Sequence, residues 1–247
     1  MTFPPTIPRS PLATLLHAGA LASLSWSFRE LWKPGPMTDF MDAQYGGHWT
    51  YLTILSLAVT WLTFAFSLAY DLVPIAPFAR IKTSLAVLAV PVEGLVGLLY
   101  WSLTVLDPSL LNPATEPGKE PFRIPLALDV SLHGLPAVYL WLDFLAFSPR
   151  FPRRARPHLL MTTAASVYVL WMEFAASKNR RYPYPMLDSM TPVQRSGFYL
   201  LQIPTLIALY HVANFVHGLV RGSSSEMGEN EARKVRQAED KVAAKVQ

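Results

Sequence analysis

Runs of about 18 or more residues almost free of charge recur along this chain, and no other feature restricts its fold as much. In water such runs have nothing to bury against, whereas a helix of about 20 apolar residues matches the hydrocarbon core of a bilayer. Six runs qualify, at about 12–28, 49–73, 83–106, 124–147, 158–177 and 197–220. The expected fold is all-α: a polytopic membrane protein built as a six-transmembrane-helix bundle. It forms one domain over 1–222, and a charged cytosolic tail over 223–247 is at most a solvent-exposed helix. The first run carries His17, and its small residues Ala18 to Ser23 would suit a cleaved signal peptide, but Arg9 is the only charge before it.

Composition narrows the chemistry. Of 247 residues, 51% are hydrophobic and 15% charged, and none is cysteine. That excludes a disulfide framework, a thiol nucleophile and a thiolate metal site. The net charge of +4 is spread over loops and the tail, so basic residues flanking membrane spans explain it without nucleic acid. The strongest cluster, Arg150, Arg153, Arg154 and Arg156 in the loop 148–157, marks that loop as cytosolic. Six spans then put both termini and the loop 74–82 on the same side. The membrane would be the endoplasmic reticulum or another endomembrane, with the plasma membrane as the alternative; the sequence leaves the oligomeric state open.

Polar residues inside the spans are spaced helically. Thr53, Ser56, Thr60, Thr63 and Ser67 fall on one face of the second span, a face that should look at protein. Hydroxyls of this kind are also ordinary packing groups between membrane helices. Glu93, deep in the third span, should face the interior, because an acid in lipid is costly. In the fourth span Asp129, His133, Pro136, Leu140 and Asp143 form one face, the most polar of any span. Asp143 reads as a boundary or pairing residue, and His211, Asn214 and His217 as packing and interface groups.

The second and fourth spans run in the same direction, which puts Thr53 about 5 Å and His133 about 12 Å below the same boundary. The two can meet in one leaflet. A threonine hydroxyl is a weak nucleophile until a base takes its proton, and histidine suits that task near neutral pH. Asp129, one turn before His133, or Glu93 on a neighbouring helix would orient the imidazole. Tyr184, Trp49 and backbone amides near Gly46 and Gly47 are oxyanion-donor candidates. Neither metal nor other cofactor is required. The six histidines, at 17, 48, 133, 158, 211 and 217, lack the close clusters of a di-iron hydroxylase or desaturase. Two facing pairs for a six-helix haem carrier remain a minor reading. The stronger alternative is a non-enzymatic lipid-binding membrane protein: a scaffold, receptor or carrier.

Four segments carry a resemblance: Tyr45-Gly46-Gly47-His48-Trp49-Thr50-Tyr51-Leu52-Thr53; Leu88-Ala89-Val90-Pro91-Val92 with Tyr100-Trp101 and Asp107; His133 with Asp143 ten residues on; and Tyr184-Pro185-Met186-Leu187. In order and spacing they resemble the androgen-induced gene and androgen-dependent TFPI-regulating protein family of transmembrane threonine hydrolases, in a fungal-looking version. The first segment is similar to that family's Y-G-G-x-W-K/T-F/Y-L-T and the last to its Y-P-F-L. The resemblance implies six transmembrane helices and hydrolysis of fatty acid esters of hydroxy fatty acids (FAHFA), with Thr53 as nucleophile and His133 as its partner. The chain departs from the animal forms at Val130 and Asp129, where they have His and Asn, and at Glu93, where they are not acidic.

Because the chain has no cysteine, a single introduced cysteine is its only thiol, which makes the topology directly testable. In sealed microsomes a membrane-impermeant maleimide is expected to label Pro152→Cys from the cytosolic side. Lys178→Cys, on the opposite boundary, should react only after permeabilisation.

Overall fold

The computed structural model describes residues 10–112, 123–152 and 155–221, and among these it is helical throughout with no strand. The tail 223–247, residues 1–9, much of the loop between the third and fourth spans, and Arg153 and Arg154 of the basic loop lie outside the described residues. The helices are α1 (Pro11–Leu31), α2 (Pro36–Asp42), α3 (Leu52–Leu72), α4 (Ala76–Leu106), α5 (Leu126–His133), α6 (Leu135–Phe147), α7 (Ala155–Asn179), α8 (Pro185–Asp188) and α9 (Pro192–Arg221).

Among the described residues five segments are long and apolar enough to cross a membrane: α3, α4, α5 with α6, α7 from Arg156, and α9. The sixth expected span, α1, has the length at 21 residues but not the hydropathy. His17 and the serines at 23, 25 and 27 dilute its apolar run. The serines bond locally, Ser25 Oγ donating to the Leu21 carbonyl at 2.7 Å and Ser27 Oγ to that of Ser23 at 3.1 Å. α1 nevertheless belongs to the bundle, with Leu24, Leu31 and His17 almost wholly buried against α3, α5 and α6.

Boundaries differ from the sequence reading where charge or proline misled it. α4 starts at Ala76 instead of 83, because the stretch with Arg80 and Lys82, taken as a loop, continues the helix beyond the apolar run. The fourth span is broken at Gly134: Pro136 has no N–H for the Leu132 carbonyl and its ring crowds that turn, so α5 ends at His133 and α6 begins at Leu135. α2, inside a stretch read as a polar connection, is too short to show a periodic signature.

Polar groups face inward, as the spacing required. Ser56, Thr60, Thr63 and Ser67 are all buried, and so is Glu93, whose Oε1 accepts from Thr60 Oγ1 at 3.0 Å. At the far end of the bundle from Thr53, His17 bridges two carboxylates: Nδ1 lies 2.6 Å from Asp71 Oδ2 and Nε2 2.7 Å from Asp143 Oδ1. Asp143 also receives Lys82 Nζ at 3.1 Å and Ser148 Oγ at 2.8 Å. It is a pairing residue, as expected, and the cluster ties α1, α3, α4 and α6 together. Near it, His217 Nε2 bonds the Ser148 carbonyl at 3.0 Å and Asn214 Oδ1 accepts from the Phe151 N–H at 3.1 Å, while His211 lies exposed.

Removing one partner of such a cluster strands the others in a low-dielectric interior. Asp143→Ala is expected to destabilise the fold by about 3–5 kcal/mol, read as a lowered Tm of the detergent-solubilised protein. Arg29→Ala, at an exposed surface pair, should leave Tm unchanged.

Candidate active site

The turn leading into α3 sets the site. Gly46 (φ 83°) and Gly47 (φ 50°) take left-handed backbone that favours glycine. They lead into the 3-10 turn Gly47–Thr50 and extended Tyr51, so α3 begins at Leu52 instead of 49. The turn is pinned from α7: Trp171 Nε1 donates to the Trp49 carbonyl at 2.9 Å, and the Tyr168 hydroxyl to the Thr50 carbonyl at 3.2 Å. From the last connection the Tyr184 hydroxyl accepts the Leu52 N–H at 2.9 Å. Thr53 therefore sits in the first turn of a fixed helix, half-buried, and its hydroxyl has no hydrogen-bond partner among the described residues.

The imidazole of His133 is held by Asp129 and Tyr100, and its backbone by Trp101. Its Nδ1–H donates to Asp129 Oδ1 at 2.8 Å, with the Asp129 carbonyl at 3.2 Å. Its ring stacks on Tyr100 of α4, centroids 3.4 Å apart and planes 3° from parallel. At the helix break, Trp101 Nε1 donates to the His133 carbonyl at 3.0 Å. α4 can come this close because residue 97 is glycine; a Cβ there would stand 3.2 Å from that carbonyl oxygen. With Nδ1 carrying the proton toward a carboxylate, Nε2 is left as the acceptor.

Thr53 and His133 line one cavity of about 100 Å³, together with Tyr100, Tyr184 and side chains of α2 such as Phe40 and Met41. No hydrogen bond joins the two directly among the described contacts. Thr53, Tyr100 and Tyr184 also line a second cavity, of about 680 Å³, that runs between α3, α4, α7 and α9. Trp49 and Val167 on its wall are 45% and 59% exposed, so it reaches the outer face of the bundle between α3 and α7.

The two candidates for orienting His133 separate here. Asp129 does so, whereas Glu93 is engaged by Thr60 and lines neither cavity. Trp49 lines the larger cavity and its carbonyl is taken by Trp171. Tyr184 lines both cavities. Burial pushes its hydroxyl above the usual tyrosine range. Sequence reasoning assigned no role to Tyr100 as a platform for the imidazole, although its place on the Glu93 face was legible.

A bundle of apolar helices around a His–Asp pair, with a threonine lining two cavities beside it, defines a polytopic α-helical membrane protein. The family model for FAR-17a/AIG1-like protein matches residues 12–218, and the chain belongs to that family. A UPF0641 membrane protein of Schizosaccharomyces pombe is 35% identical over 204 residues, covering 82% of this chain and 89% of the relative. No solved structure matches.

At Gly46 a Cβ would stand 2.7 Å from Thr50 Cγ2 and 2.9 Å from Trp171 Cζ2, on top of the unfavourable φ. Gly46→Ala is expected to cost about 1–3 kcal/mol and to loosen the turn that carries Thr53. Thermal unfolding should show the loss in stability.

Proposed function

We propose that this protein is a membrane-embedded lipid ester hydrolase, acting on esters such as those of fatty acids with hydroxy fatty acids, with Thr53 as nucleophile and His133 as base. The observation that carries the reading is the shared cavity: an unpartnered Thr53 hydroxyl and an imidazole oriented by Asp129 line the same 100 Å³ space. Family membership supports the reading without establishing an activity.

In the reaction proposed, Thr53 Oγ attacks the ester carbonyl carbon while His133 Nε2 takes the hydroxyl proton. The tetrahedral intermediate collapses, the C–O bond to the alcohol breaks, and His133 returns the proton to the departing alkoxide. Water, deprotonated by His133, then cleaves the acyl–Thr53 ester and regenerates the hydroxyl. Asp129 holds the imidazole tautomer and stabilises its charged form. Tyr184, whose oxygen already accepts the Leu52 N–H, has its own proton to offer the oxyanion. The missing contact between Thr53 and His133 is compatible with this scheme, since catalytic hydrogen bonds often tighten only with substrate bound. A lipid reaches the site laterally, between α3 and α7.

Thr53→Ala is expected to abolish both fluorophosphonate labelling and cleavage of a fatty acid ester of a hydroxy fatty acid, at equal expression in membranes. His133→Ala should lower turnover by about 10²–10⁴, and Asp129→Ala by a smaller factor. Unchanged turnover in Thr53→Ala removes the nucleophile. A wild type silent to probe and ester favours the non-enzymatic lipid-binding reading, in which the larger cavity holds a lipid without turning it over.

A further inference from the structure

We propose that Tyr100 is a positioning residue, whose ring fixes the direction of His133 Nε2 and favours the imidazolium that forms when Nε2 takes the Thr53 proton. The role rests on the hydrolase reading and extends it to a side chain on α4 that acts through the histidine.

Asp129 alone does not fix the imidazole. The χ2 torsion of histidine is broad, so covalent geometry sets the ring plane only loosely. One hydrogen bond, from Nδ1 to Asp129 Oδ1 at 2.8 Å, holds an edge of the ring and not its plane. The ring of Tyr100 supplies the plane, with centroids 3.4 Å apart and planes 3° from parallel. Edge and plane together define where Nε2 points.

The sequence of α4 keeps this face close to His133. Gly97, Tyr100 and Trp101 stand at i, i+3 and i+4 and so share one side of the helix. The missing Cβ at Gly97 leaves room for the His133 carbonyl oxygen, and Trp101 Nε1 donates to that same oxygen at 3.0 Å. The residues on either side of Tyr100 thus grip the His133 backbone while Tyr100 faces its ring. The Tyr100 hydroxyl also lies close enough to the Asp129 carboxylate to interact with it, so Tyr100 engages both members of the His–Asp pair.

A tyrosine ring met face-on presents its negative π cloud, which attracts a cation more than a neutral imidazole. Among the described residues lining the smaller cavity there is no lysine, arginine or carboxylate; its other titratable side chains are Tyr51 and Tyr184. The charge that forms on His133 is therefore met by Asp129 and by this ring. An interaction that strengthens as the reaction proceeds raises kcat and leaves substrate binding alone.

The test is steady-state kinetics on a 4-nitrophenyl fatty acid ester with full-length protein in detergent. Tyr100→Leu is expected to lower kcat by about 10² with KM nearly unchanged. Tyr100→Phe, which keeps the ring and loses only the hydroxyl, should lower kcat by about fivefold. Leu24→Ala controls for lost stability: Leu24 is buried in α1, two turns from Leu31 where that helix meets the cavity, so Tm should fall while kcat stays near wild type. If Tyr100→Leu gives no folded protein, Gly97→Ala is read instead, because its Cβ would stand 3.2 Å from the His133 carbonyl oxygen and push α4 away with the ring intact. A loss of about tenfold in kcat is expected there, and an unchanged kcat overturns the role. Wild-type kcat in Tyr100→Leu, a loss carried by KM, or a Tyr100→Phe enzyme as slow as Tyr100→Leu overturns it too, while turnover by the wild type keeps the hydrolase reading. A wild type that cleaves no ester overturns the hydrolase reading, and the role of Tyr100 falls with it.

Discussion

A histidine that bridges two carboxylates inside an apolar bundle is the contact on which the arrangement of helices depends. Water is absent from the hydrocarbon, so each polar group there must find its partner within the protein, and the few positions where partners coincide fix how the helices stand. His17 needs both Asp71 at the end of α3 and Asp143 on α6, while Asp143 needs Lys82 at the start of α4. Sliding any one of these helices by a turn would leave a charge unpaired. α1, the long helix that falls short of a membrane span's hydropathy, is held in the bundle by this cluster as well as by Leu24 and Leu31.

With one end locked by charge, the other is free to be hollow. The Thr60–Glu93 bond halfway along keeps α3 and α4 in step, and two cavities meet at the Thr53 end. The break at Gly134 serves that end. A straight α5–α6 helix would use the His133 carbonyl for its own ladder; here Trp101 donates to it, and the imidazole turns against the flat face of Tyr100. Asp129 then needs only one helical turn to reach Nδ1.

Much of this was legible in residue spacing. The period of the α3 hydroxyls marked its buried face, Glu93 had to point inward, and Asp143 read as a boundary or pairing residue, all because unsatisfied polarity in lipid is expensive. The segments that escaped are those whose conformation depends on distant partners. Arg80 and Lys82 look like loop residues until Asp143 is seen to need Lys82. The choice between Asp129 and Glu93 as partner of His133 was open, because both lay on plausible faces and only packing shows that Thr60 occupies Glu93. Tyr184 meets the Leu52 N–H across more than 130 residues of chain, a contact that no local pattern encodes.

The start of α3 unites these threads. The first N–H groups of any helix lack intrahelical acceptors and carry the positive end of its dipole. Here the Leu52 N–H goes to Tyr184, and those of Ile54 and Leu55 go to the Tyr51 carbonyl. The carbonyls a turn behind Thr53, those of Trp49 and Thr50, are taken by Trp171 and Tyr168. The Thr53 N–H has no backbone acceptor among the described contacts, and it belongs to the same residue as the unpartnered hydroxyl. On the hydrolase reading, an ester carbonyl attacked by Thr53 Oγ develops its negative charge at the positive end of α3, beside that N–H and the Tyr184 hydroxyl. A threonine one turn deeper would have its own N–H taken by the helix ladder and would stand a turn away from the Tyr184 hydroxyl, which is a physical reason for the nucleophile to stand in the first turn.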